Sequence, residues 1–256
     1  MLNYIRSELY RTFRRKYTFL MIGIPALLCI AANLMIFAML HTGGTIHSTA
    51  ESPVNGDFML NMLTPTIIFL VYFGVFLVVD CVFSDEHKNQ TLKNVVSFGY
   101  TRTQIYFGKL ITQLLLALLT MVIVFATFAL SAFLLLGIGS LTETLQWYGY
   151  QLLHAFPIWL AGLAIANMLY FTVKGSLVVP VYLGLVLFLP FLVLNQMAAR
   201  LWPWFQKLLP YLMFNMLDGS NASGPEGLLW PWVIGLGWTV LATAFGVILF
   251  RRREIK

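Results

Sequence analysis

Apolar residues in this chain gather into six long blocks, at about residues 17–40, 62–82, 110–136, 152–171, 176–194 and 232–250. Each is close to or above the roughly 20 residues that a helix needs to cross about 30 Å of hydrocarbon. The pattern predicts an all-α integral membrane protein of six transmembrane helices. Ahead of the first block, Leu2, Ile5, Leu9 and Phe13 fall on one helical face, with Ser7, Glu8, Arg11, Arg14 and Arg15 largely opposite. An apolar stripe with a basic far side suits an interfacial helix over residues 1–16. The plainer alternative is a basic flank that orients the first span. Between the fifth and sixth blocks, residues 195–231 are too broken by Arg200, Lys207, Pro203, Pro210 and Pro225 to cross. Their aromatic density fits short helices and a loop resting at a membrane surface.

The most structured polar stretch is 80–110, between the second and third blocks. Thr91 is placed to cap a short helix, and Leu92, Val95 and Val96 share one face of it. Gly99 follows where a left-handed residue ends a helix. Thr101 and Gln104 have capping-box spacing, with Tyr100 and Ile105 placed as a hydrophobic staple. The stretch therefore reads as a short amphipathic helix, a sharp corner, and a second helix running back into the bilayer. A solvated loop with ordinary caps accounts for the same local signals.

Composition strengthens the membrane reading. The 256 residues are 59% hydrophobic and 10% charged, with a mean hydropathy of +0.81, whereas soluble domains carry roughly 25% charged residues. The net charge of +6 comes from basic residues beside the apolar blocks, which indicates topology rather than a nucleic-acid groove. With the N-terminus inside, fourteen of the sixteen Lys and Arg fall on the inner side; only Arg200 and Lys207 fall outside. Both termini and the 84–109 loop are then cytoplasmic. The first apolar block is too long for a cleaved leader. Nothing suggests a second domain, so residues 1–256 read as one transmembrane unit. Cys29 and Cys81 fall in different blocks and do not suggest a disulfide.

The blocks hold few groups that could do chemistry. Asp80 is the one carboxylate near a span interior, and His154 sits at a span end. Asn33, Gln113 and Asn167 suit interhelical hydrogen bonds. No metal-ligand spacing, nucleophile elbow or GxxxxGK[ST] loop occurs, so the chain is expected to bind neither metal nor ATP, and not to be an enzyme. An ion-driven carrier needs ligands at mid-membrane. Their scarcity points to energy arriving from another protein through the 84–109 loop.

These features together resemble the permease subunits of ABC-2 type ABC exporters. The resemblance covers nearly the whole chain in architecture. In motif it rests on Phe83, Glu86, Thr91, Leu92, Val95, Val96, Gly99, Thr101, Arg102, Ile105 and Lys109. Gln90 departs from the family's usual Gly, and Gly99-Tyr100 stands where Pro is frequent. The small size looks most like bacterial permeases exporting peptide toxins, lantibiotics or bacitracin-like antibiotics.

The resemblance implies that residues 1–16 form a connecting helix and 91–98 a coupling helix seated in a separate ATP-binding subunit. It assigns coupling to Glu86, Thr91, Leu92, Lys93, Val95, Val96, Thr101 and Arg102. It implies two permease copies, identical or related, in a bacterial plasma membrane, with spans two and five lining the path. Phe69, Phe73, Phe76, Asp80, Tyr182 and Phe188 would face an amphipathic or lipid-like cargo, although ordinary lipid-facing positions look the same. The partner, not this chain, would bind ATP and magnesium. From another class, the competing reading is an integral membrane scaffold or sensor without a path.

Overall fold

The computed structural model describes residues 1–41, 56–89, 92–137, 140–173, 175–186, 189, 207, 209–217 and 225–252. No strand occurs among them. The helices are α1 (Leu2–Phe13), α2 (Lys16–His41), α3 (Gly56–Asn89), α4 (Leu92–Ser97), α5 (Arg102–Leu136), α6 (Leu141–Thr172), α7 (Gly175–Leu183), α8 (Met213–Met216) and α9 (Leu229–Arg252). Five of them, α2, α3, α5, α6 and α9, are long and apolar enough to cross a membrane. The expected fifth span is represented by α7 and the apolar stretch Leu177–Val186, and most of its second half lies outside the described residues.

Helix α6 is the centre of the bundle. Ala155, Ala161, Gly162, Ala164 and Ala166 are buried along it, and small residues let neighbouring backbones approach closely. Helix α6 approaches α9 closely, where a Cβ on Gly235 would lie 2.5 Å from the Pro157 carbonyl carbon. Helix α3 also packs on α6, α5 touches α3, α6 and α9, and α2 lies against α5. Outward faces are apolar: Phe19, Leu20, Ile24 and Leu27 on α2, and Trp230, Val233, Val240 and Phe245 on α9, are exposed. Surfaces this apolar face lipid rather than water.

Helices α3 and α6 extend well into segments expected as loop. α3 has 34 residues, about 51 Å at 1.5 Å per residue, well beyond about 30 Å of hydrocarbon. It starts at Gly56, inside the expected 41–61 loop, because the Gly56 N–H donates to the Gly137 carbonyl at 3.0 Å and Thr144 Oγ1 donates to Asp57 Oδ1 at 2.7 Å. Likewise α6 begins at Leu141, eleven residues before the apolar block, and its first turn carries the Thr144 that meets Asp57. Tertiary contacts thus convert expected loop into helix. α2 continues as helix through Pro25.

Candidate functional site

The corner between α3 and α5 folds as its caps dictate. α4 ends at Gly99, whose φ of 88° is in the left-handed region that glycine adopts at no steric cost. Its N–H donates to the Val96 carbonyl at 3.1 Å. The next helix opens with a complete capping box: Gln104 N–H donates to Thr101 Oγ1, and Thr101 N–H donates to Gln104 Oε1. Val95, Val96 and Tyr100 are half-buried against the core, while Phe98 is 81% exposed at the tip. Glu86, Leu92 and Lys93 lie on α3 and α4, with side chains outside the described set. Thr91 and Phe188 lie outside the described residues.

Beside this corner α1 is clamped onto the ends of α3 and α5, by a face that shares Ile5 with the apolar stripe seen in the sequence but is turned away from Leu2 and Phe13. Tyr4, Ile5, Glu8 and Thr12 are the buried positions. Leu2 and Phe13 are exposed; they form a separate apolar stripe, beside a basic one. Glu8, expected among the polar residues opposite the apolar stripe, is instead buried in the docked face. Its carboxylate accepts from Arg11 Nη2 at 2.6 Å and from Lys109 Nζ at 3.3 Å. The reason is complementarity: Lys109 sits within the apolar root of α5 with no exposed surface, and a buried ammonium needs an anion.

The clamp is reinforced by packing and by backbone carbonyls. Gly108 leaves the hollow that receives the Tyr4 ring, since a Cβ there would lie 2.5 Å from Tyr4 Cδ1. Tyr4 also meets Tyr100, ring centroids 5.2 Å apart, which ties α1 to the corner itself. Arg15 Nη1 donates to the Cys81 carbonyl at 2.5 Å and Arg11 Nη2 reaches the Val82 carbonyl at 3.5 Å. Thr18 donates to the Thr12 carbonyl at 2.6 Å. Cys81 and Cys29 are buried thiols that form no disulfide, and Cys81 Sγ lies 3.0 Å from Thr18 Oγ1.

From Lys109 an aromatic chain crosses the bundle. Lys109 Nζ lies 4.8 Å from the Phe83 ring centroid, a cation–π distance. Phe83 stacks on Tyr170 at 5.2 Å and meets Phe171 edge-on at 4.9 Å. Phe171 in turn contacts Tyr106 at 4.9 Å and Phe250 at 4.4 Å. One contiguous stack therefore links α3, α5, α6 and α9. Arg102, assigned to coupling, also joins the last helix: its Nη1 donates to the Phe250 carbonyl at 3.2 Å and the Arg251 carbonyl at 2.5 Å. A cation on the final carbonyls of a helix satisfies orphan acceptors and suits the helix dipole.

The residues assigned to a path divide into two groups. Phe69, Phe73, Phe76 and Asp80 recur at helical spacing on α3 and are all half-buried; Phe69 and Phe73 stack with centroids 6.5 Å apart. Asp80 accepts from Tyr170 Oη at 2.8 Å. Tyr182 has no exposed surface. Its hydroxyl donates to the Tyr72 carbonyl at 3.1 Å, and it packs on Gly162 and Phe76. It thus fastens α7 to α3 and α6 within the protomer.

The polar span residues form the interhelical bonds expected of them: Gln113 Nε2 donates to Asn167 Oδ1 at 2.9 Å, and Asn33 Nδ2 to the Phe128 carbonyl at 3.1 Å and Ser131 Oγ at 2.7 Å. The clamp was missed in the sequence. Two signals could have found it: Glu8 is the one acid among the first sixteen residues, and Lys109 lies inside an apolar run.

The arrangement is a mechanical junction. The corner is in contact with α1, α3 and α5, and the aromatic stack joins these to α6 and α9. A protein-family profile described as ABC-2 family transporter protein matches residues 4–191, a stretch holding the clamp, the corner and all of α7. No curated protein matches the chain.

Proposed function

This chain belongs to the ABC-2 transporter family and is a membrane permease of an ABC transporter, and we propose that it forms an export path for amphipathic peptides or antibiotics, driven by a separate ATP-binding subunit. In this reading two permease copies, identical or related, pair in a bacterial plasma membrane with both termini and α4 in the cytoplasm. Leu177–Val186 begins the fifth of six spans. α4 is the coupling helix, and ATP-driven closure of the partner pushes it.

The observation that carries the reading is the tip of the corner. Phe98 is 81% exposed on a turn fixed at its other side by Gly99 and the Thr101 capping box. An exposed aromatic on a rigid mount is what a docking anchor requires. Behind it, the clamp and the aromatic stack couple that mount to four spans. Phe69, Phe73, Phe76 and Asp80 form the stripe of α3 that faces the path. Tyr182 reaches the path only if α7 separates from α3.

The test is reconstitution of the permease with its ATP-binding partner. Scrambling residues 91–98 abolishes both complex formation and permease-stimulated ATP hydrolysis, while the melting temperature of the permease stays within a few degrees of wild type. Unchanged stimulated hydrolysis in the scrambled variant overturns the coupling role. Uniform protection of cysteines placed at positions 69, 73, 76 and 80 from aqueous reagents overturns the path, and favours a scaffold or sensor.

A further inference from the structure

A second feature of α3 lies on its opposite side. A cavity of about 260 Å³ is lined by α2, α3, α5 and α6. Its α3 wall runs from Ile67 to Val78 through Val71, Gly74 and Val75. At about 100° per residue these positions, with Leu70 and Leu77 of the same wall, centre roughly 150° away from Phe69, Phe73, Phe76 and Asp80. The cavity is therefore separate from the proposed path, and its assignment does not rest on that reading.

The floor of the cavity is buried and its mouth is not. Val124, Trp159 and Leu163 are 2%, 5% and 2% exposed. Leu28 on α2 and Leu70 and Leu77 on α3 also line it, yet are 59%, 61% and 37% exposed. The opening thus lies between α2 and α3, halfway along both helices. At that height the surrounding medium is lipid hydrocarbon.

Water is a poor occupant. A buried water needs two to four polar partners. The side-chain heteroatoms of the lining include the Cys29 thiol, the Trp159 ring nitrogen and the Thr120 hydroxyl. Thr120 already donates to the Leu116 carbonyl at 2.8 Å and Trp159 Nε1 to the Ile68 carbonyl at 3.2 Å. An apolar cavity of roughly 150 Å³ stays dry and accepts hydrocarbon guests, and this one is larger. The wall between Ile67 and Val78 extends about 16 Å along the helix axis, so the space is elongated as well as apolar. The space reaches Gly74, where an added Cβ meets nothing within 4 Å.

We propose that this cavity is a lipid site that admits one unbranched acyl chain of a bilayer phospholipid laterally between α2 and α3, with its tail end against Trp159. The chain fills the gap left between α2 and α3 at mid-height. It allows α3 to shift against α2 without opening a void.

The full-length chain is reconstituted in vesicles of phosphatidylcholine carrying bromines at mid-chain, and in the same lipid without bromine. The emission of Trp159 is taken as the difference between wild type and Trp159→Phe. Although Trp159 is nearly inaccessible, its emission falls by half or more in brominated lipid. Gly74→Phe, which fills the cavity, restores it. Ala117→Phe, from the α5 wall, does the same and serves if Gly74→Phe fails to fold. Unquenched Trp159 in wild type overturns the proposal, as does quenching undiminished in a folded, filled variant. Shielded Trp159 together with loss of a dimer in the filled variants identifies a second copy as the occupant and also overturns it.

Discussion

Glu8 and Lys109 meet at 3.3 Å in the interior, 4% and 0% exposed, across 101 residues of chain. The pair joins the first helix to the root of α5. It also gives the buried ammonium a counter-charge next to the Phe83 ring.

Removing one member of a buried ion pair leaves the other charge uncompensated and costs about 3–5 kcal/mol. The two single changes should differ. Lys109→Met leaves Glu8 bonded to Arg11, whereas Glu8→Gln leaves Lys109 and Arg11 facing a neutral amide. Glu8→Gln is therefore the more damaging, and the double variant recovers part of the loss relative to it. Thermal unfolding in detergent of the three proteins measures this; equal melting temperatures for the two single variants contradict it.

Gly108 is where α1 seats. Gly108→Ala puts a methyl group 2.5 Å from Tyr4 Cδ1, an overpacking that costs about 1–3 kcal/mol. The strain falls on α1, so the N-terminal helix becomes sensitive to protease while the bundle persists. Tyr4→Ala in the same chain relieves the collision. If protection of α1 is the same in Gly108→Ala as in wild type, the seat is not where the structure puts it.

The Gln113–Asn167 hydrogen bond crosses between α5 and α6 within the spans. Such bonds contribute about 0.6–2 kcal/mol. A double-mutant cycle with Gln113→Leu and Asn167→Leu should return a coupling energy in that range. Zero coupling would mean the two amides are satisfied elsewhere.

At the corner, binding and folding should separate. Phe98→Ala removes an exposed ring, so the melting temperature of the permease does not move. Its affinity for the ATP-binding partner falls by about 2 kcal/mol if Phe98 is an interface anchor. Gly99→Val instead forces a β-branched residue to φ 88°, which costs about 1–3 kcal/mol. It redirects α4, so stimulated ATP hydrolysis falls more than with Phe98→Ala. Titration of the partner against each variant reads both effects.

Much of the molecule was legible because it follows local rules. Continuous apolar runs longer than the hydrocarbon is thick must become helices in lipid, where no other partner exists for backbone N–H and C=O groups. That rule identified α2, α3, α5, α6 and α9. The Gly99 break and the Thr101–Gln104 box involve residues three or fewer apart, and both are present as read.

Three-dimensional packing decided the rest. Which face of α1 docks depends on Lys109 and Gly108, about a hundred residues away, and helical periodicity sees only a helix's own residues. Hence Glu8 read as a member of the polar face opposite the apolar stripe, and is buried. The starts of α3 and α6 were set by the Gly56–Gly137 and Asp57–Thr144 contacts, not by hydropathy. Tyr182 and Phe76 looked equivalent as aromatics in apolar blocks, but only packing separates a fully buried ring from a half-exposed one. The sequence alone thus determined that this is a helical membrane protein with a capped corner between two spans. Only the tertiary structure decided that the corner is braced by a buried ion pair and an aromatic stack, because those contacts pair residues that composition and spacing leave independent.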